Sequence, residues 1–352
     1  MSTSKSGREL RHLGWSIAGL LLALPLALVC VVLVWPQLFS LQRSFPFTQA
    51  ISFRLVGLIG LAAALLVLAL LLLPSRRLRR LLVASTVVVG VAAIASAGIL
   101  FSRGLGAAME ATGEEDAIRV LAWNTLGNEP GSPTIAALAL EYDVDVLMLP
   151  ETTNDMGLEI AGLMRDEGRP MCVLSNTGAP GYRAAETTIL ISADLGEYRL
   201  TEAFGDTAKL ATVIAEPVSG EGPTLIATHP IAPVQSEMET WRRDLEWLSG
   251  VCHGDVIAAG DFNATLDHLH GLANSGVDGA VLGDCRDAAL DAGGASVGTW
   301  PTGRPKMFGP AIDHVMYTPQ WEVIGFEVID RSELNGSDHR PVFAELQRRE
   351  AN

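Results

Sequence analysis

The sequence predicts an α/β domain preceded by three transmembrane α-helices, and three observations carry that prediction. Charge is split along the chain: residues 1–103 hold ten Lys/Arg against one acid, a net of +9, leaving −24 for the rest of a chain whose total is −15. The first part contains three uncharged stretches, Trp15–Val34, Leu55–Leu73 and Leu81–Phe101, of 20, 19 and 21 residues. The second part alternates short apolar runs with helical patterns, as one α/β core does. The 352-residue average, 49% hydrophobic with a mean hydropathy of +0.29 and yet acidic, describes neither part. It does exclude disorder, which needs low hydrophobicity. Only 4 cysteines exclude a disulfide scaffold. An overall basic nucleic-acid binder is disfavoured.

Residues 1–103 read as a membrane anchor. About 20 apolar residues cross a hydrocarbon core, and each stretch is long enough. Pro25 is tolerable there because neighbouring helices satisfy the freed carbonyl. Buried core helices are the alternative, but three such runs packed so closely argue against them. A cleaved signal peptide would need a small-residue site before Pro36, and none stands out. Lys5, Arg8 and Arg11 precede the first span, and Arg76, Arg77, Arg79 and Arg80 crowd the second loop. Cytoplasmic loops are rich in Lys and Arg, so both segments face the cytoplasm. The first loop has only Arg43 and Arg54 among Trp35, Phe39, Phe45 and Phe47. Three spans then put everything after Phe101 on the extracytoplasmic face of a cell membrane, with the lipid bilayer as a partner.

Residues 104–117, including the polar run Met109–Ala117, read as a linker, and 118–352 as one α/β domain. Strands are expected at Arg119–Trp123, Val144–Leu149, Cys172–Leu174, Thr188–Ser192, Leu210–Ala215, Leu225–Thr228 and Val256–Ala259. Others fall near Ile312–Tyr317, Val323–Val328 and Pro341–Leu346. Helices are expected at Ile135–Tyr142, Met156–Glu167 and Gln235–Leu248, a turn at Glu216–Pro223, and Gly-rich loops from Gly271 to Gly298. Cys172, Cys252 and Cys285 read equally well as small hydrophobes. An oxidising compartment would permit one bridge, Cys252–Cys285 being the favoured pairing.

Polar residues cluster where strands end: Asn124, Glu151, His229, Asp261 and Asn263, with Asp313 and His314 in the Ile312 strand and Asp338 and His339 before the last one. Singly each has an ordinary role as turn residue, helix cap or surface acid. Jointly they point to one cleft, because ligands of α/β sheets bind beyond the strands' carboxyl ends. The set suits phosphate-ester hydrolysis. Hard oxygen ligands such as Glu151 and Asp338 suit Mg²⁺ or Mn²⁺. A carboxylate such as Asp261 can deprotonate or orient water, and His and Asn groups can stabilise phosphorane oxygens. The cysteines are not paired at zinc-ligand spacing, and neither a GxSxG elbow nor a phosphate-cradling GxxxxGK[ST] loop is present.

Six segments, Ala122-Trp123-Asn124-Thr125, Leu149-Pro150-Glu151, Thr228-His229-Pro230, Gly260-Asp261-Phe262-Asn263, Ile312-Asp313-His314-Val315 and Ser337-Asp338-His339-Arg340-Pro341, together resemble the endonuclease/exonuclease/phosphatase superfamily. They occur in that family's order and span 118–346. The resemblance implies a four-layer α/β/β/α sandwich, DNase I-like, with the site between two sheets. It implies that Glu151 binds the metal, assisted by Asn124 and Asp338. Asp261 would activate water, with Asn263 holding the scissile phosphate. His339 would be general acid or phosphate stabiliser, oriented by Asp313, and His229 would donate to a phosphate oxygen. Glu186, opening the Glu186–Ser192 strand, stands where the nucleases place a carboxylate that pairs with the second histidine. Pro150 departs from the Gln common before the glutamate. The Ala292–Gly309 segment, with Trp300, Arg304 and Lys306, has no residue-level counterpart; it reads as a loop, or as a substrate lip whose cations meet a second phosphate or lipid headgroup. The anchor together with Thr299-Trp300-Pro301 and Ile312-Asp313-His314 resembles a membrane-bound bacterial subgroup that includes the actinobacterial teicoplanin-resistance membrane protein.

The expected function is a membrane-anchored, divalent-metal-dependent phosphoesterase acting on small or lipid-linked phosphate esters outside the cytoplasm. An extracytoplasmic metal-dependent endonuclease or exonuclease shares every catalytic residue, but a net charge of −24 disfavours a polyanionic partner. A non-catalytic, membrane-tethered binding module is the third reading, and the intact polar set argues against it. No protein partner is read from the sequence.

Overall fold

The computed structural model describes the chain except residues 1–2, 107–108, 115, 182–183, 332–333, 335 and 350–352, with only the backbone of 3–12. The side chains of Lys5, Arg8 and Arg11, on which part of the orientation argument rests, lie outside the described residues. The chain divides into two compact units, Met1–Ser102 and Arg103–Asn352.

The first unit is helical: α1 (Thr3–Val34), a short α2 (Phe47–Ser52), α3 (Arg54–Leu71) and α4 (Arg76–Ser102). Leu13–Val34, Arg54–Leu71 and Arg76–Ser102 are long and apolar enough to cross a membrane, with mean hydropathies of 3.0, 2.5 and 2.2. Their outward side chains include Leu66 and Ile94, 62% and 75% exposed, which suits hydrocarbon rather than water. One expectation needs correcting. Arg76, Arg77, Arg79 and Arg80 are not in a loop but in the first turns of α4. Pro74 cannot continue α3, and Ser75 Oγ accepts the Leu78 N–H at 3.2 Å, starting the next helix a residue later.

In the second unit, strand residues alternate between two environments, and that alternation builds the layers. The first sheet runs β11-β12-β1-β2-β4-β3, from β1 (Ala117–Ala122), β2 (Val146–Pro150), β3 (Met171–Thr177), β4 (Glu186–Ser192), β11 (Trp321–Val328) and β12 (Val342–Arg348). The second runs β5-β6-β7-β8-β10-β9, from β5 (Tyr198–Leu200), β6 (Val213–Pro217), β7 (Thr224–Thr228), β8 (Val256–Asp261), β9 (Arg286–Asp287) and β10 (Asp313–Tyr317). Ile118, Val120 and Ala122 of β1 share a core with Leu225 and Ala227 of β7 and Ile257 and Ala259 of β8, between the sheets. The intervening Leu121 and Leu147 face outward onto α5 (Ser132–Glu141) and α6 (Asn154–Asp166), packing with Ile135 and Ile160. On the far side Ile226 and Ala258 meet Trp241, Leu245 and Leu248 of α7 (Met238–Val251). Two short helices, α8 (Leu266–Leu269) and α9 (Ala288–Asp291), fill the connections. The architecture is the four-layer α/β/β/α sandwich.

Strand boundaries shift by up to three residues from expectation; β9 and α9 are additions within the expected Gly-rich loops, and β5 and α8 lie where no element was expected. The Leu210–Ala215 strand starts only at Val213. Before it, Ala211 N–H bonds Ala185 O at 3.0 Å and Thr187 Oγ1 bonds Ala211 O at 2.7 Å, so this backbone serves the other sheet. Cys252 and Cys285 form a disulfide, and Cys172 is free and exposed.

The expected linker is bound along the domain. Just before it Arg103, the last residue of the expected anchor, makes two hydrogen bonds to the buried Asp267 carboxylate, at 2.8 and 2.7 Å. Its carbonyl accepts from Ala295 N–H at 3.0 Å. Met109 pairs with Phe326 on the edge strand β11. The Thr112 and Gly113 N–H groups donate to Glu345, a fully buried carboxylate on β12, at 2.7 and 3.1 Å. The segment thus touches the surroundings of both sheets.

Candidate active site

Parallel pairing sets the site's position. β1 and β2 run parallel in one sheet, and β7 and β8 in the other. The antiparallel partners β12 and β10 begin where β1 and β8 end, since Ala122 pairs with Val342 and Asp261 with Asp313. Residues after four strands and at the start of two others therefore meet at one end of the sandwich.

Asn124 follows β1 and is 1% exposed. Its Nδ2 donates to Glu151 Oε1 and to Asp261 Oδ2, both at 3.1 Å, while its Oδ1 accepts Leu126 N–H at 3.0 Å. Glu151 follows Pro150 with φ 58°, a left-handed conformation that costs a non-glycine residue energy and here turns the carboxylate into the cleft. Thr125 Oγ1 holds the Glu151 carbonyl at 2.9 Å. Gly260 lets β8 approach β7: at φ 140°, a Cβ there would lie 2.2 Å from Thr228 O. Asp261 is buried at the end of β8, where its Oδ1 accepts Asn263 N–H at 2.8 Å. Asn263 Nδ2 reaches Pro230 O at 3.0 Å and Asp261 Oδ2 at 3.2 Å, so both amide protons orient the loop rather than face the cleft.

His339 Nδ1 donates to both oxygens of Asp313, at 2.9 and 3.1 Å, leaving Nε2 3.7 Å from Asp261 Oδ2 and 3.9 Å from Asp338 Oδ1. Burial disfavours a charge on this ring, but Asp313 and Asp261 override it and push its pKa up to about 10. Burial raises the Asp261 carboxyl to about 7, with Asp313 adding to the rise and His339 opposing it. His229 sits with Nε2 3.6 Å from Asp261 Oδ2 and 3.8 Å from Glu151 Oε1. Burial and the neighbouring His339 charge lower it to about 3, so it is neutral. Three buried titratable groups gathered within 3.7 Å of Asp261 Oδ2 have been driven apart, an arrangement suited to acid–base work.

Glu186 does not pair with His229. It opens β4 opposite Thr177, and its Oε2 accepts the Asn154 N–H at 3.3 Å, while His229 Nδ1 is buried with no hydrogen-bond partner. Two contacts go beyond the loop or substrate lip expected of the Ala292–Gly309 segment: the Trp300 indole N–H donates to Asp338 Oδ2 at 2.8 Å, and Thr299 Oγ1 accepts from Asp313 N–H at 3.2 Å.

Ligand atoms of Asp261, Asp313 and His339 lie within 4.8 Å of one another and form the metal-capable group among the described residues. Both Asp313 oxygens are engaged by His339, however, which leaves Asp313 no uncommitted oxygen for an ion. Asp338 and Glu151 offer further oxygen ligands for a hard cation. Asp338 Oδ1 is buried with no hydrogen-bond partner, and Glu151 lies at the other end of the chain of contacts through Asn124, Asp261 and His339. Among the described residues, Asp261, Asp313 and Asp338 find ion-pair partners only in His229 and His339. Since His229 is neutral, one positive charge faces three carboxylates. A divalent ion with oxygen preference suits that surplus.

A sandwich that gathers carboxylates, imidazoles and an amide at one end of two sheets defines a phosphoesterase or nuclease scaffold. Residues 121–339 match the model of the Endonuclease/Exonuclease/phosphatase family, and the chain belongs to that family. Enzymes of this family are generally divalent-metal dependent. Similar solved structures include D. rerio TDP2 humanized by 14 mutations, at 15% identity and a TM-score of 0.48, covering 66% of this chain and 100% of that one. An endonuclease/exonuclease/phosphatase from Beutenbergia cavernae DSM 12333 is 20% identical with a TM-score of 0.48, covering 66% and 72%. The human Nocturnin catalytic domain with bound sulfate anion is 17% identical with a TM-score of 0.46, covering 67% and 96%. No curated protein sequence matches the chain.

Proposed function

We propose that the protein is a membrane-anchored, divalent-metal-dependent hydrolase of small or lipid-linked phosphate esters, working on the extracytoplasmic face. The observation that carries the metal-dependent chemistry is the surplus of carboxylate around a single imidazolium, with Asp338 Oδ1 buried and without a hydrogen-bond partner. Glu151 and Asp338 would hold the ion, with Asn124 orienting Glu151. Bound Mg²⁺ or Mn²⁺ would neutralise charge on the phosphate oxygens.

The chain's own residues supply the rest. Asp261, with a pKa of about 7 before any ion binds, takes a proton from the attacking water. Asn263 and Asn124 hold that carboxylate in register. His339, kept charged by Asp313, presents Nε2–H to a phosphate oxygen or to the leaving group. Neutral His229 donates a hydrogen bond without adding charge.

Support for the location comes from the three membrane-length helices and from the Cys252–Cys285 bond, which fits an oxidising compartment. Support for the substrate class comes from the −24 net charge beyond residue 103, which repels a polyanion. The test is a panel of polyprenyl pyrophosphate, phospholipids, phosphoinositides and plasmid DNA, each with Mg²⁺, Mn²⁺ or chelator, on the detergent-solubilised protein. Metal-dependent release of phosphate or headgroup is expected, absent in Asp261→Asn. Cleavage of DNA alone would replace this reading with a nuclease, and full cellular function of Asp261→Asn with a binding module.

A further inference from the structure

The Gly-rich segment between α9 and β10 is bound to the metal end of the site by more hydrogen bonds than its sequence suggests. Thr302 N–H donates to Asp338 O at 2.9 Å, and Thr302 Oγ1 to Ser337 O at 3.1 Å. In return Arg340 N–H donates to Thr299 O at 2.8 Å. The Arg340 guanidinium, 3% exposed, reaches the carbonyls of Pro301, Thr302 and Arg304 at 3.1, 3.3 and 2.6 Å, with Asp330 neutralising it at 2.8 Å. Gly309 closes the loop on itself: a Cβ there would lie 2.1 Å from Trp300 O. Trp300 is therefore held at its backbone from both sides.

From that fixed position its indole N–H donates to Asp338 Oδ2 at 2.8 Å. The Asp338 side chain is 40% exposed, so without this bond solvent would offer it other rotamers. With the bond made, one oxygen is occupied and the other, Oδ1, is buried and has no hydrogen-bond partner, 3.9 Å from His339 Nε2.

We infer that Trp300 is a positioning residue that selects the Asp338 rotamer and presents Oδ1 as an ion ligand. The inference rests on the divalent-ion reading above and deepens it. An indole N–H is a donor only, so it can occupy one carboxylate oxygen but cannot itself bind the cation. Partners of this kind, which touch a ligand rather than the metal, are typically worth about 10–100-fold in affinity.

The experiment is direct Mn²⁺ binding, by electron paramagnetic resonance and calorimetry, to the full-length protein in detergent. Trp300→Phe should weaken Mn²⁺ binding about 10–100-fold while the melting temperature in chelator stays unchanged. Replacing Trp300 with benzothienylalanine, which keeps the ring's shape and removes only the N–H, should do the same and decides the matter if the Phe variant folds poorly. On an Asp338→Asn background, Trp300→Phe should add nothing further, because both changes act through one oxygen. Parent-like Mn²⁺ binding in the benzothienylalanine protein, or losses that add in full, overturns the role of Trp300. If Glu151→Gln and Asp338→Asn bind Mn²⁺ like the parent, the ion reading itself fails; if they lose it and the Trp300 variants do not, only this inference fails.

Discussion

Burial at Asp261 and the carboxylates beside His339 together separate the roles of the site's residues. Asp261 is raised to about 7 and His339 to about 10, so at neutral pH one can accept a proton and the other can donate one. His339→Ala should lower turnover by about 10²–10⁴-fold. Parent-like circular dichroism with a loss under threefold would remove His339 from the chemistry. A second buried histidine nearby has a structural task. His314 donates to Asp287 at 2.6 Å and to Ala264 O at 2.8 Å. Burial alone would discharge the ring, but these acceptors override it and its pKa ends above the ordinary 6.5. The folded ring thus holds its proton more tightly than the unfolded one. Its stabilisation is complete below about 6.5 and is lost as pH rises through the folded value. Melting of His314→Gln should therefore fall furthest below the parent in acid, with the gap narrowing as pH rises; a gap constant across that range contradicts the assignment. Asn124, Glu151, Asp261, Asp313 and His339 were legible because each sits beside a strand end in the sequence itself. The bond from Trp300 to Asp338 was not, because the two lie 38 residues apart, and Glu186 was misjudged because family position said nothing about the direction of its side chain.

At the scale of elements, α7 supports the site from behind. Trp241 is fully buried against the second sheet, and its Nε1 donates to Asn263 O at 3.1 Å. Asp244, one turn later, accepts N–H groups of Ala208 and Ile231 at 3.0 and 3.4 Å, fixing the loop that follows His229. Trp241→Ala should cost about 3–5 kcal/mol of stability in denaturant unfolding, with the catalytic loop loosened besides. The disulfide joins the residue after α7 to the one before β9, 33 positions on. Reducing it should cost about 2–4 kcal/mol, visible as a lower melting temperature with reductant that Cys252→Ser reproduces. Periodicity revealed α5, α6 and α7 because each has a continuous apolar stripe. It missed β5 and β9, of three and two residues, which are too short to show a period of two.

For the molecule as a whole, the sequence-level charge boundary near residue 103 coincides with the division into two units at Ser102. What composition could not reveal was that the polar segment beyond it is part of the fold. Glu345, an acid in the last strand, is fully buried and takes its hydrogen bonds from Thr112, Gly113 and Arg119. Removing the Thr112 and Gly113 donors would leave this buried carboxylate with Arg119 as its partner, at a cost of about 1–3 kcal/mol. A soluble fragment starting at Arg103 should accordingly melt well above one starting at Ile118. Equal melting curves would show that the segment contributes nothing.

The Arg103–Asp267 pair then acquires a mechanical meaning. Any tension on the polypeptide arriving from α4 meets this bidentate contact first, one residue past Ser102. Asp267 lies six positions beyond Asp261, on the short helix that ends the same loop. A pull arriving along α4 would be transmitted to the loop that follows Asp261 rather than dissipated in slack chain.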